Sequence, residues 1–132
     1  MGDTLNTAYV AGILDGEGCF RFTRTALIEM SASYPQILMD FQLKYGGKLN
    51  NQQKTAISRK PMFRWYVSGP KALCLLEEVL PYLREKRPQA LLLRRVLSYP
   101  PKTAMRHALL RELKALKRIP YSPWFRPLEV TA

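Results

Sequence analysis

The chain has 132 residues, 47% of them apolar and 11% aromatic, which is enough to build one core and too apolar for disorder. Twenty-one Lys and Arg against ten Asp and Glu give a net charge of +11, a field that attracts polyanions and makes nucleic acid the first partner to consider. No run approaches the ~20 apolar residues of a membrane span, the N-terminus carries no basic signal-peptide region, and Cys19 and Cys74 lack metal-ligand spacing. An intracellular protein with no membrane partner is expected.

Thr4 to Leu14 is expected as a helix, capped by Thr4 or Asn6 and ended by Gly16 and Gly18. Cys19 to Thr25 alternates as a strand, with Phe20 and Phe22 inward and Arg21, Thr23 and Thr25 outward. Leu27 to Ser33 makes a second strand after a short turn. Pro35 fits the first turn of a helix in which Ile37, Leu38, Phe41 and Tyr45 recur at helical spacing, and Gly46-Gly47 ends it. Lys48 to Lys54 reads as a polar third strand, and Thr55 to Pro61 as a basic loop. Met62 to Ser68 reads as a fourth strand with Phe63, Trp65 and Val67 on one face and Arg64 and Tyr66 on the other.

Gly69-Pro70 opens a helix that Pro81 halts, and Pro88 starts another through Leu97. Residues 102–119 form an additional basic helix, with Met105, Leu109, Leu113 and Leu116 inward, and 120–132 form a Pro-rich tail. His107 is expected to be exposed, and Trp124 and Phe125 to anchor the tail. The whole is expected as one α+β domain with its core over about 5–97. An antiparallel four-stranded sheet carries helices on one face and leaves the other free. That free face is expected to present Arg21, Thr23, Thr25, Glu29, Asn51, Gln53, Arg64 and Tyr66, a polar set able to hydrogen-bond bases and phosphates. Lys54, Arg59 and Lys60 add cationic contacts beside it.

The stretch Tyr9-Val10-Ala11-Gly12-Ile13-Leu14-Asp15-Gly16-Glu17-Gly18 is unusual, because a mid-helix glycine costs ~1 kcal/mol relative to alanine. On a 3.6-residue period Ala8, Ala11, Gly12 and Asp15 share one face, a small-residue stripe along which a second helix can approach until backbones touch. An acid at a helix C-terminus works against the dipole unless a cation covers it, and a divalent metal supplies that charge.

Val10 to Gly18 resembles the LAGLIDADG motif of homing endonucleases, and Leu80-Pro81-Tyr82-Leu83-Arg84-Glu85-Lys86 is similar to the LPxLxxK segment of that family. The resemblance covers roughly Leu5 to Leu97. It implies an αββαββα fold with a saddle-shaped sheet in the DNA major groove. Two motif helices then pack together, and acids at their ends bind divalent metal over the central minor groove. Carried over by position, the resemblance makes Glu17 the catalytic metal ligand, has Gly16 lend its carbonyl to the ion, makes Lys86 the catalytic basic residue that organises water or stabilises charge near the scissile phosphate, and makes Asp15 a structural or capping residue. Glu17 departs from the commoner Asp of the family. The implied cofactor is Mg²⁺, with Mn²⁺ tolerated.

A single motif implies that the second helix comes from another copy, so a homodimer acting on a near-palindromic double-stranded DNA site is expected. The activity implied is site-specific double-strand cleavage. The alternative is a catalytically silent module that binds DNA or RNA, as an intron-splicing maturase or a repressor. The acid at Glu17 argues for cleavage, since without metal it would repel the phosphate backbone.

Overall fold

Asn6 begins the first helix. Its backbone is extended and its side-chain oxygen accepts the Tyr9 N–H at 2.8 Å, which satisfies one of the donors that a helix start leaves unpaired. In the computed structural model, which describes residues 5–52 and 61–118, this helix (α1) runs Thr7–Glu17. It therefore continues through Gly16, which does not end it. The Gly18 N–H closes the last turn on the Leu14 carbonyl.

The chain then forms β1 (Gly18–Phe22), β2 (Ala26–Ala32), α2 (Gln36–Tyr45), β3 (Lys48–Gln52), β4 (Met62–Ser68) and α3 (Pro70–Val79). Pro81 does not stop the chain from coiling: Leu80–Tyr82 add a 3₁₀ turn before α4 (Arg87–Leu97) and α5 (Ala104–Lys117). The strands make one antiparallel sheet in the order β1-β2-β4-β3. This is the α+β arrangement expected, with α1, α2 and α3 packed on one face.

Register decides which side chains reach that core. Phe20 pairs with Ile28, Ile28 with Val67, Met30 with Trp65 and Trp65 with Leu49, so these residues share the helix-covered face. Trp65 is fully buried, meets Phe41 edge-on at 5.2 Å between centroids, and donates its indole N–H to the Gly46 carbonyl at 2.8 Å. Such aromatic pairs add about 0.5–1.5 kcal/mol beyond their buried area. Gly47 is obligatory at this turn, because its φ is +88° and a Cβ there would lie 2.3 Å from the Tyr66 carbonyl oxygen.

Two expectations about the sheet need correction. Thr23 and Thr25 lie in the β1–β2 turn, not in the strand, because Phe22 pairs with Ala26 and the chain has already reversed. Asn51 pairs with Phe63 on the helix side, whereas Lys48 and Asn50, opposite Tyr66 and Arg64, share the open face. Gln53, Lys54, Arg59, Lys60 and the tail with Trp124 and Phe125 lie outside the described residues.

The last helix has a small core of its own. Leu109 and Leu113 pack with Leu92 and Val96 of α4, and the Arg106 guanidinium lies 4.7 Å from the Phe22 ring centre. Met105, expected inward, is exposed, Leu116 is half-buried, and His107 is exposed as expected. Among the described residues no helix is long and apolar enough to cross a membrane.

Candidate active site and nucleic-acid interface

The two sides of α1 have different tasks. Val10, Ala11 and Leu14 are fully buried in the protomer's own core. Ala11 is therefore not on the exposed stripe where the sequence placed it. Ala8, Gly12, Gly16 and Glu17 face outward, with Tyr9 half-exposed beside them. A Cβ built on Gly12 or Gly16 would meet nothing within 4 Å, so no contact within the protomer requires glycine there. Gly18 differs, since a Cβ would lie 2.8 Å from both the side chain and the carbonyl oxygen of Leu14.

Asp15 faces its own chain. Its carboxylate accepts the Arg84 N–H at 2.9 Å and the Lys86 N–H at 3.0 Å, which ties the end of α1 to the segment before α4. Lys86 in turn donates its ammonium at 3.3 Å to the Leu14 carbonyl, which also accepts the Gly18 N–H. Burial pushes the Lys86 ammonium below the usual lysine range. Cys19, Asp15 and Glu17 pull it back up in part, while the Lys117 charge adds to the downward push. Acid and lysine thus come to one place from segments about seventy residues apart.

From Glu17 a groove of about 460 Å³ runs over the open face, lined by Cys19, Arg21, Glu29, Ser31 and Arg64 among others. Glu29 is its centre. One carboxylate oxygen accepts the Arg21 Nη1 at 2.5 Å, and the other accepts the Arg64 Nε at 2.7 Å and also its Nη2. Partial burial pushes the Glu29 carboxyl up, but the hydrogen bonds and charges of the two arginines outweigh it and hold the group below the ordinary carboxylate range. Arg21 is raised, chiefly by its hydrogen bond to Glu29. The Arg64 guanidinium also lies 4.3 Å from the Tyr66 ring centre, a stacking distance.

No family model and no curated protein matches the sequence. Solved structures do. The homing endonuclease I-CvuI, in complex with its target in the presence of 2 mM Ca, is 26% identical with a TM-score of 0.68, over 86% of this chain and 83% of that one. The archaeal intron-encoded homing endonuclease I-Vdi141I, complexed with DNA, shares the fold at 15% identity and a TM-score of 0.66, over 90% and 88% of the two chains. The meganuclease I-SmaMI, bound to uncleaveable DNA, shares it at 16% identity and a TM-score of 0.58, but the match spans only 43% of that chain against 85% of this one. The chain has the fold of these homing endonucleases, and its Val10–Gly18 stretch resembles their LAGLIDADG motif.

Glu17 and Gly16 lie at the end of α1, Lys86 reaches that end from the segment before α4, and Arg21, Glu29, Arg64 and Tyr66 lie together on the open face. Among the described residues no group of three or more His, Cys, Asp and Glu side chains could hold a metal ion. One protomer offers one free acid, Glu17, beside the carbonyls of a helix end. Three residues escaped the sequence reading. Lys117 of α5 places its ammonium 3.7 Å from the Cys19 sulfur, at the Glu17 end of the groove, across a separation of 98 residues that no local pattern announces. Lys48 and Asn50 were legible, since the single apolar residue of that strand, Leu49, marks the covered side.

Proposed function

We propose that the chain is a site-specific DNA endonuclease that cuts both strands as a homodimer, by metal-assisted hydrolysis with Mg²⁺ or Mn²⁺. The observation that carries this reading is the outward tip of α1. Glu17 is exposed next to Lys86, and two glycines without any neighbour in their own protomer lie along the same helix side. A second copy meeting this helix along Ala8, Gly12 and Gly16 brings two Glu17 carboxylates together and offsets the cost of the glycines. Glu17 and the Gly16 carbonyl would hold a divalent metal, which would supply charge neutralisation and water activation at the phosphate.

The protein's own groups do the rest. Asp15 fixes the Lys86 backbone, so the ammonium is held beside the acid and is available to the charge that develops on the scissile phosphate. The open face, with Arg21, Arg64, Tyr66, Lys48 and Asn50, provides the contacts that choose the site. The DNA complexes of I-CvuI and I-Vdi141I support this use of the fold.

The test is to incubate purified protein with a genomic or randomised DNA library in Mg²⁺ or Ca²⁺ and sequence the ends. Defined ends that need Mg²⁺ and vanish in Glu17→Gln, with binding kept, are expected. Specific binding without cuts in either metal would instead identify a binding module.

A further inference from the structure

We propose that Glu29 is a positioning residue that aims Arg21 and Arg64 at two guanines in each half-site, a proposal that rests on the DNA-groove reading of the open face. The argument begins with donors. A guanidinium has a side-on edge (Nε and one Nη) and an end-on edge (both Nη), and either matches the O6 and N7 acceptors of guanine in the major groove. Glu29 occupies the side-on edge of Arg64 and leaves the end-on edge open toward the groove. It takes only Nη1 of Arg21, which leaves that residue its Nε and Nη2 edge. Each arginine keeps one complete fork while tethered to the same carboxylate.

The surroundings enforce this. Register places Glu29 opposite Cys19 on one side and Tyr66 on the other, so the carboxylate reaches diagonally to Arg21 on β1 and to Arg64 on β4. Tyr66 closes one face of the Arg64 plane, and the Glu29 side chain is only 15% exposed. A face meant simply to grip phosphates gains nothing from a half-buried acid between its two central cations, because that acid cancels half of their charge. A face meant to read bases gains two forks whose orientation is set before the duplex arrives. The two guanidiniums sit on opposite oxygens of one carboxylate, so each presents its fork at its own place and the proposal gives each its own guanine.

The experiment selects a half-site with the wild-type protein, then measures affinity for every single-base variant of it with wild type, Arg21→Ala, Arg64→Ala, Arg64→Lys and Glu29→Gln, thermal unfolding confirming that each variant folds. Each arginine variant is expected to erase a preference for guanine at its own position, about ten- to a hundredfold. Arg64→Lys is expected to do so while keeping overall affinity, since it retains the charge and loses the fork. Glu29→Gln is expected to weaken both preferences at once while binding to scrambled duplex stays level or tightens. If Glu29→Gln tightens binding to all sequences evenly and leaves both preferences intact, Glu29 is only a counter-charge and the proposal falls. If the positions sensitive to the arginines are not guanine, it falls as well. A wild-type protein with no sequence preference sinks the DNA-groove reading itself; sequence-specific wild-type binding with unchanged guanine preferences in the variants sinks only this inference.

Discussion

The motif helix divides lengthwise into two regions. On the inward side, Val10, Ala11 and Leu14 fill the core, Gly18 avoids a collision with Leu14, and Asp15 holds the segment at Arg84 and Lys86. On the outward side, Gly12, Gly16 and Glu17 contact nothing that would explain them within the protomer. A protomer's own stability accounts for the first group and is silent on the second. On the proposed function, residues that are costly in isolation and free of internal cause are where a second copy would meet the first.

That division can be broken at several points. The largest effect is expected at Glu17→Gln, where cleavage in single-turnover assays should fall by about a thousandfold or more, several kcal/mol of lost charge stabilisation. Its urea midpoint should move little, since Glu17 supports no inward contact. Next comes Asp15→Ala, which strands two backbone N–H donors and should cost about 2 kcal/mol in denaturant unfolding. Gly18→Ala should cost about as much, through overpacking against Leu14.

Gly12→Ala should be milder and opposite in sign for the isolated protomer, gaining up to ~1 kcal/mol of helix stability while weakening self-association in sedimentation. Should it instead destabilise the protomer, the outward group has an internal task after all.

The smallest effect is a pH dependence on the sheet. Glu29 titrates below its unfolded value, ~4.3, so its stabilisation is complete above that pH and disappears as pH falls through the folded value. The stability difference between wild type and Glu29→Gln should therefore shrink only on the acid side of the ordinary carboxylate range.

The order of elements was legible because most turns carry Gly or Pro, the β1–β2 turn being an exception, and because β1 and β4 alternate clearly. β4 was read to the residue, since Phe63, Trp65 and Val67 leave one choice of covered face. β3 was misread because its outward and inward positions are both polar at Asn50 and Asn51, so that Leu49 alone carries the phase. The alternation of Phe20, Phe22, Thr23 and Thr25 ran past the true strand end, which is set by pairing with Ala26 and by nothing local. Glu17, Gly16 and Lys86 were legible from the motif and its spacing. The Glu29 clamp was legible only as a list of polar residues. Its diagonal contacts come from the register between three strands, and the approach of Lys117 to Cys19 comes from how α5 crosses α4.

The carboxylate of Asp15 clips the motif helix to the backbone that carries Lys86. Lys86 and the tip of α1 are therefore fastened into one mechanical unit, so under the proposed function acid and lysine would travel together as a bound duplex flexed or two copies rocked against each other. The spacing that the proposed chemistry would depend on is thereby insulated from the motions that fitting to a long substrate would demand.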